Sequence, residues 1–308
     1  MKTNITINSF IKSKLLNYKK YIKGVKYITW LFFPKTATLF YNYKWSFYKK
    51  VVIVPHFGLG DLAVLVPALK EFETKFNTIY LVGNKDYIQA ILVLFNFSNK
   101  IQILDVDINE KIYTSGFTKN EKLFFKSHGK VIYIGSLDND PIIKYPNSFY
   151  IKIGVSSSIV NKQYNFNISI NKFAFANKLI EILESQEEFI YVNINTSKGD
   201  LNAHENIEVN KIQRIYSYGK SAETLGINNY IDTSKSDIYS NVESILFNVA
   251  LSLYATKTII SDAGLFNIII KFKECKDLKV ITRKHSHSHN NLLYKIQFNG
   301  KIQSRSIN

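Results

Sequence analysis

The sequence is poor in cysteine and has no long apolar run. Its one cysteine, Cys275, excludes an internal disulfide and leaves no thiolate cluster for structural zinc or an iron–sulfur centre. The longest apolar stretch near the start, residues 27 to 34, is far shorter than the roughly 18 residues that cross a bilayer. The start is also too basic and too aromatic for a secretory signal. We therefore expect a cytoplasmic protein.

Negative charge is scarce relative to positive charge. The chain has 40 Lys and Arg against 24 Asp and Glu, for a net charge of +16. Such an excess indicates an anionic partner, which by charge alone is a nucleic acid, a membrane surface, an acidic glycan or a diphosphate. Hydrophobic residues at 46% and charged residues at 21% are typical of a folded chain, and 308 residues favour two domains.

Residues 1–50 interleave lysines with bulky aromatic side chains and predict one or two basic amphipathic helices. Such a helix can lie at an anionic membrane surface, with its aromatic rings in the interface and its lysines on the headgroups. The alternative is a helix that packs across the first domain with its lysines solvated. In either case this segment is a helical N-terminal extension, and the first interpretation makes the protein peripheral at a membrane.

From residue 51 onward, short apolar strands alternate with helical patterns, which indicates an α/β chain with parallel sheets covered on both faces. In the first half the strands are predicted at residues 51–54, 78–82, 101–104 and 131–134, with helices at 61–75 and 86–95. In the second half the strands are predicted at residues 189–194, 258–260 and 278–281, with helices at 172–185, 207–218, 241–254 and 264–272. We therefore predict Rossmann-like domains over residues 51–150 and 172–290, a linker region within 138–171, and a tail over 291–308.

The strongest local signal is a strand, a tight glycine turn and a helix over residues 51–69. Gly58 and Gly60 let a ligand approach the backbone closely, and the helix start offers free N–H groups and a positive dipole end to anions. A ligand crevice lies at this point in most sheets of this kind. The turn therefore predicts a binding site.

The same turn fits a loose dinucleotide fingerprint, Gly58-x-Gly60-x-x-Ala63, so an NAD(P)-dependent enzyme is the competing hypothesis. Such an enzyme usually has an acidic residue at the end of the second strand, but this strand ends in Val-Gly-Asn-Lys and Asp86 lies too far on. Asp61, inside the turn, would also repel a pyrophosphate. Both features disfavour the dinucleotide interpretation.

The segment Gly-Leu-Gly-Asp-Leu-Ala-Val-Leu-Val-Pro-Ala-Leu over residues 58–69 resembles the first motif of the family 9 glycosyltransferases, the lipopolysaccharide heptosyltransferase group. The glycine–aspartate pair and the later Pro-x-Leu of that motif match Gly60, Asp61, Pro67 and Leu69. The resemblance implies a GT-B-like fold, in which two Rossmann-like domains face a cleft. It also implies inverting, metal-independent transfer of a sugar from a nucleotide sugar to a glycan or lipid-linked glycan, with no cofactor.

In that family the motif aspartate is the proposed general base. The resemblance thus implies that Asp61 takes the proton from the acceptor hydroxyl, and that His56, Gly58 and Gly60 form the acceptor-side turn. The alternative is that Asp61 is only the N-cap of the following helix, a frequent position for aspartate. The sequence leaves both interpretations of Asp61 open.

A second match lies near the end of the chain, where a strand is followed by Ser-Asp-Ala-Gly and a helix. Asp262 and Gly264 match the family's Asp-Ser-Gly turn, which holds the donor, and Asn267 stands where the family has a histidine. The donor phosphates also have plausible partners after the first strand of the second half, namely Thr196, Ser197 and Lys198. The family's tryptophan–proline and glycine-rich strand are not recognisable, so a non-catalytic glycan- or nucleotide-binding relative is a further alternative.

Single features of the chain also fit metal binding and nucleic-acid binding. The alternate histidines at 285, 287 and 289 have no acidic or thiol ligand near them in the sequence and are better explained as a solvated tail than as a metal site. The basic charge admits nucleic-acid binding, but no zinc, helix-turn-helix or RNP-like pattern is visible. We therefore expect neither a metal nor a nucleic-acid partner.

Overall fold

The computed structural model describes residues 47–55, 58–106, 117–134, 149–150, 153–185, 187–195, 213–234, 239–261, 264–275 and 277–282, and the backbone of a strand at 302–306. The predicted N-terminal helices lie almost wholly outside these ranges, and so do the histidines at 285–289.

The first half forms a four-stranded sheet in which all strands are parallel. The strands are β1 Lys50–Val54, β2 Thr78–Gly83, β3 Ile101–Asp105 and β4 Lys130–Tyr133. Their order is β3-β2-β1-β4, so the chain moves outward from β1 to β3 and then returns to the other side of β1. The direction of winding therefore changes between β1 and β4, which is where sheets of this kind bind ligands.

Three helices connect these strands: α1 Leu59–Lys75, α2 Lys85–Leu94 and α3 Lys119–His128. All residues of α1 from 62 to 69 are buried, which makes α1 a core helix. The side chain of Asn84 caps α2 by accepting the N–H of Tyr87 at 3.1 Å, and Thr118 with Glu121 forms a capping box at the start of α3. Helix α3 is not predicted by the sequence pattern.

The second half forms a six-stranded parallel sheet with the same winding. The strands are β5 Phe189–Asn193, β6 Arg214–Ser217, β7 Ile231–Asp232, β8 Lys257–Ser261, β9 Leu278–Thr282 and β10 Ile302–Ser306. Their order is β10-β9-β8-β5-β6-β7, which is the Rossmann order with its change of direction between β5 and β8. Strand β10, which the sequence analysis missed, lies within the predicted tail and pairs with β9.

The helices of this half are α4 Ala176–Glu184, α5 Ser221–Thr224, α6 Asn241–Tyr254 and α7 Gly264–Ile269. Helix α4 begins later than predicted because a 3₁₀ turn, Ile170–Lys172, precedes it. The predicted helix at 207–218 is wrong where the structure describes it. Arg214–Ser217 is strand β6, because it pairs in parallel with β5 and buries Ile215 and Tyr216. The α/β fold with parallel, helix-covered sheets is otherwise as predicted.

One buried core joins the two halves of the chain. Phe95 of the first half stacks on Phe272 of the second, with 4.8 Å between the ring centroids. The predicted linker region contributes to this core, because Phe149 and Tyr150 are buried and the Tyr150 hydroxyl donates to the carbonyl of Val64 in α1 at 2.7 Å. The described part of that region is therefore packed against both halves.

None of the helices described is both long enough and apolar enough to span a membrane.

Lys271 follows α7 and is only 1% exposed. Its ammonium donates to the carbonyl of Val160. Burial lowers the pKa of Lys271 from 10.5 to about 8, because the charged form is poorly solvated in the core. Between these two values the unfolded chain binds the proton more tightly than the folded protein does, so the free energy of unfolding rises with pH across this window.

We expect Lys271→Met to remove this pH dependence. Relative to the variant, wild-type protein should gain about 3 kcal/mol in the free energy of unfolding as the pH rises from about 8 to 10.5. The lost hydrogen bond to Val160 gives an offset that does not change with pH. Urea unfolding at several pH values measures the difference, with the exposed Lys273→Met as the matched control. Parallel pH curves for wild type and Lys271→Met would contradict the prediction.

Candidate functional site

The glycine turn after β1 sets the geometry of the first motif. Helix α1 begins at Leu59 with Gly58 as its N-cap, and no side chain caps it. The N–H groups of Asp61 and Leu62 both donate to the carbonyl of Gly58 at 3.1 Å. The turn therefore ends β1 and places Asp61 inside the first turn of α1.

Asp61 is not the N-cap of α1, so that alternative is wrong. The helix begins at Leu59, two residues before Asp61, so Gly58 occupies the N-cap position. Because glycine has no side chain, no side chain caps the helix. The Asp61 carboxylate folds back over this turn, because a Cβ atom placed on Gly58 would lie 2.9 Å from Asp61 Oδ2. Asp61 is half-buried, and a carboxylate in a first turn interacts favourably with the helix dipole.

The second motif lies at the corresponding point of the second sheet. Ser261 ends β8 and donates through Oγ to the carbonyl of Asn195, just after β5, at 3.3 Å. These are the two strands between which the winding changes direction. Gly264 then begins α7. Gly264, which the sequence assigns to the donor side, therefore follows β8 at the expected ligand crevice of the second sheet.

The two glycine turns, which come from opposite halves of the chain, are in direct contact. A Cβ atom on Gly60 would lie 2.9 Å from Gly264 Cα and 2.8 Å from Asn267 Nδ2. A Cβ atom on Gly264 would lie 3.2 Å from the amide nitrogen of Gly60. Gly60 has no room for a side chain, and Gly264 has room for one only if its neighbour shifts by a few tenths of an ångström, which is the physical reason for glycine at both. The carboxyl edges of the two sheets thus meet at this contact.

Asn267 of α7 lies at this junction and is only 4% exposed. Its Oδ1 atom has no hydrogen-bond partner among the described residues. A buried polar atom without a partner costs about 1–3 kcal/mol, and native proteins keep few of them. The junction therefore holds an amide oxygen able to accept a hydrogen bond from a bound molecule.

Five of the predicted site residues come together at this junction: Gly58, Gly60, Asp61, Gly264 and Asn267. The other five lie outside the described residues: His56, Thr196, Ser197, Lys198 and Asp262. Their roles remain predictions.

The structure disfavours a dinucleotide at the first glycine turn. The second glycine of a dinucleotide fingerprint leaves space for the pyrophosphate, but here Gly264 and Asn267 fill the space beside Gly60. Asp86, the nearest acidic residue after β2, lies in α2 and accepts a hydrogen bond from Asn241 Nδ2 at 2.8 Å. Its carboxylate is therefore engaged with α6.

A set of polar groups that the sequence pattern does not predict lies at the carboxyl ends of β5, β6 and β7. Gly219 has φ of +58°, and a Cβ atom there would lie 3.6 Å from Asn195 Nδ2 and 3.7 Å from Ser234 Oγ. Asp232 Oδ1 accepts the N–H of Gly219 at 3.0 Å and the hydroxyl of Ser234 at 2.7 Å. The available signal was Gly, Ser and Asp directly after short apolar runs. This edge offers polar partners to a ligand that extends from the junction.

Among the described residues, no group of three or more His, Cys, Asp or Glu side chains lies close enough together to hold a metal ion.

No protein-family profile matches the sequence, and no curated protein does. Several solved structures are similar to the chain. The glycosyl transferase family 9 from Veillonella parvula DSM 2008 is 13% identical, with 76% of this chain and 80% of that chain covered and a TM-score of 0.49. The E. coli ADP-heptose lps heptosyltransferase II is 9% identical, with 83% and 90% covered and a TM-score of 0.49. The E. coli heptosyltransferase WaaC with ADP is 12% identical, with 83% and 90% covered and a TM-score of 0.45.

Proposed function

We propose that the chain is a GT-B-type glycosyltransferase that moves a sugar from a nucleotide sugar to a hydroxyl of a glycan or lipid-linked glycan. The observation that carries this proposal is the contact between Gly60 and Gly264. Each parallel sheet binds ligands where its winding changes direction, and this contact brings the two such points together. Two substrates, one held by each sheet, can therefore meet at one place.

Asp61 is the general base in this proposal. The acceptor oxygen forms a bond to the anomeric carbon while the bond from that carbon to the diphosphate breaks. The hydroxyl proton passes to the Asp61 carboxylate, and the nucleoside diphosphate leaves with the bonding electrons. The half-buried position of Asp61 on the rigid start of α1 suits proton transfer, because it fixes the carboxylate at the junction. Attack opposite the leaving group inverts the anomeric carbon.

The donor lies on the second sheet. Gly264 lets the donor side approach α1 closely, and Asn267 Oδ1 accepts a hydrogen bond from a donor hydroxyl. In this proposal Asp262, Thr196, Ser197 and Lys198 complete the donor side, as the family resemblance implies. The positive charge of Lys198 stabilises the leaving diphosphate without a metal or another cofactor.

The net charge of +16 suits an anionic donor and an anionic acceptor or membrane surface. The enzyme acts in the cytoplasm in this proposal, at the membrane face that carries a lipid-linked acceptor.

A thermal-shift screen with ADP, UDP, GDP and CDP and with nucleotide sugars tests the proposal. We expect at least one of these ligands to raise the unfolding temperature, because a ligand that binds only the folded protein stabilises it by about 2.7 kcal/mol at a hundred times its Kd. If none does, the transferase proposal fails. A shift with NAD(P) alone would favour the dinucleotide alternative.

Asn267→Leu gives this screen a specific signature. The variant removes the unpartnered Oδ1, so we expect the ligand-free protein to become about 1 kcal/mol more stable. The affinity for the stabilising nucleotide sugar should fall about tenfold, because the hydrogen bond to the donor is lost. Calorimetric unfolding and titration measure the two effects. The exposed Asn161→Leu is the control and should change neither. Unchanged donor affinity in Asn267→Leu would contradict the role of Asn267.

A further inference from the structure

Exposed apolar side chains cluster at one corner of the first half of the chain. Seven large apolar side chains are exposed in the part of the chain that the structure describes, and five of them lie at this corner. Their exposed fractions are 68% for Phe47, 54% for Leu123, 49% for Phe124, 44% for Tyr133 and 36% for Tyr48. Single exposed apolar residues are ordinary on soluble proteins, whereas a cluster marks an interaction surface. We call this region, formed by residues 47–50, α3 and β4, the α3–β4 corner.

Beneath the exposed side chains, contacts of the buried Phe117 and Phe125 rings link α3 to β4. The ring of Phe117 lies 5.0 Å from that of Phe125 in α3 and 6.5 Å from that of Tyr133 in β4. At the other end, the ammonium of Lys130 lies 5.6 Å from the ring of Tyr48. The segment before β1 thus reaches β4, and β4 reaches α3.

Lysines border the apolar side chains of this corner. Lys119 and Lys126 lie one helical turn on either side of Leu123, and Lys122 lies between them. All of these lysines are exposed, as are Lys49, Lys50 and Lys130. The one carboxylate of α3, Glu121, is held in the capping box, where it accepts the N–H of Thr118 at 2.6 Å. The exposed side chains of Leu123 and Phe124, which we call the apolar crest of α3, therefore lie among exposed lysines.

The corner also lies beside the acceptor side of the junction. Strand β4 is the outer strand of the described first sheet, next to β1. Tyr133 pairs in register with Val54, and Val54 ends the strand that leads to the Gly58 turn. A partner bound at this corner would therefore lie close to a molecule entering the junction from the first sheet.

We infer that the α3–β4 corner docks on a negatively charged lipid bilayer. Leucine and phenylalanine at the crest of a helix gain free energy by entering the interface, while the surrounding lysines remain at the anionic headgroups. A nucleic acid would be recognised by different chemistry, because the crest offers an aliphatic Leu123 and the corner has no arginine for bidentate phosphate contacts. This docking involves residues different from those of the proposed transfer reaction.

Vesicle binding by the full chain tests this inference, with vesicles of phosphatidylcholine alone and of phosphatidylcholine with phosphatidylserine. We expect binding to the second kind only. Substituting Lys119, Lys122 and Lys126 together by glutamine should lower the partition coefficient by about tenfold or more, because each lysine near such a surface contributes about fivefold. Leu123→Ser with Phe124→Ser should lower it about tenfold, and this loss should persist at high salt because it is not electrostatic.

A second triple variant, Lys162→Gln with Lys172→Gln and Lys273→Gln, is the matched control. It removes the same charge from exposed positions outside the corner and should leave the partition coefficient within about twofold of wild type. Circular dichroism and the unfolding temperature check that each variant folds. Equal losses in both triple variants would overturn the inference, because general positive charge rather than the corner would then bind the vesicles.

A fluorescent label reports which surface enters the lipid. The one native cysteine, Cys275, is buried, so Phe124→Cys can be labelled selectively with an environment-sensitive dye. The emission should shift to the blue on anionic vesicles, whereas a label at Lys220→Cys in the second half should not change. An unshifted label at position 124 would overturn the inference, as would nucleic-acid binding that depends on the three α3 lysines without any vesicle binding. Nucleotide stabilisation in the thermal-shift screen is independent of either result, so the two proposals fail separately.

Discussion

Asp61→Asn is expected to lower glycosyl transfer about a thousandfold, within the range typical of losing a general base. Asparagine keeps the size and the position of the side chain in the first turn of α1, but it cannot take the proton from the acceptor hydroxyl. The donor is held from the second sheet in the proposed arrangement, so the affinity for the nucleotide sugar should stay within about threefold of wild type. Turnover and donor affinity therefore respond differently to this change.

The measurement combines initial rates at saturating substrate with calorimetric titration of the nucleotide sugar. Asp105→Asn is the matched control, because Asp105 also lies at the carboxyl edge of the first sheet but ends β3, two strands away from β1. The control should keep its full rate. If Asp61→Asn turned over as fast as wild type, Asp61 would not be the base. A loss of donor binding as large as the loss of rate would assign Asp61 to donor binding.

Local signals account for the elements that were predicted well. The long apolar pattern of residues 241–254 predicts helix α6 with its observed bounds, and in the structure a Ser240–Glu243 capping box opens this helix. Strand β1 followed from a β-branched run that is buried on both faces. Residues that form a strand or helix by burying most of their side chains can be recognised from sequence alone.

Weak or ambiguous patterns account for the misses. Helix α3 buries only Phe125, so it has little apolar periodicity and was overlooked. Strand β6 was assigned to a helix because its few residues show no clear alternation and become a strand through pairing with β5. The two residues of β7 depend in the same way on their pairing with β6. Tertiary contacts decided these elements.

The candidate site shows the same division. Glycines and an aspartate after a strand indicated the turn at Gly58, and a similar pattern indicated the turn at Gly264. Nothing near either turn in the sequence indicates that Gly60 packs on Gly264, because that contact depends on how the two halves share one core. The true N-cap of α1 was also hidden, since a glycine N-cap has no side chain that marks it.

Gly60→Ala is expected to destabilise the protein by about 2 kcal/mol and to lower turnover about a hundredfold. The added methyl group would lie 2.9 Å from the Cα atom of Gly264, which is backbone and cannot rotate away. Alanine itself favours a helix over glycine by about 1 kcal/mol, so a net loss of stability must come from this contact. To relieve it, α1 and α7 must separate, which moves Asp61 away from the donor side.

Two neighbouring glycines provide graded controls for this prediction. Gly58→Ala would approach only the Asp61 carboxylate, at 2.9 Å from Oδ2, and the Gly58 φ of −75° suits alanine. It should therefore displace the carboxylate and lower turnover, with a loss of stability of about 1 kcal/mol or less, because alanine is a poorer N-cap than glycine. Gly264→Ala meets the Gly60 nitrogen at 3.2 Å, a milder conflict, and should fall between wild type and Gly60→Ala in the free energy of unfolding.

Urea unfolding and initial rates of the three variants distinguish the effect of the contact between the two glycine turns from the effect of moving the Asp61 carboxylate. A Gly60→Ala protein as stable and as active as wild type would show that the two turns need not touch for transfer. Loss of stability with full activity would make the contact structural only. The proposed function requires both losses in Gly60→Ala and mainly the loss of rate in Gly58→Ala, because Gly58 positions the base and Gly60 brings the two sheets together.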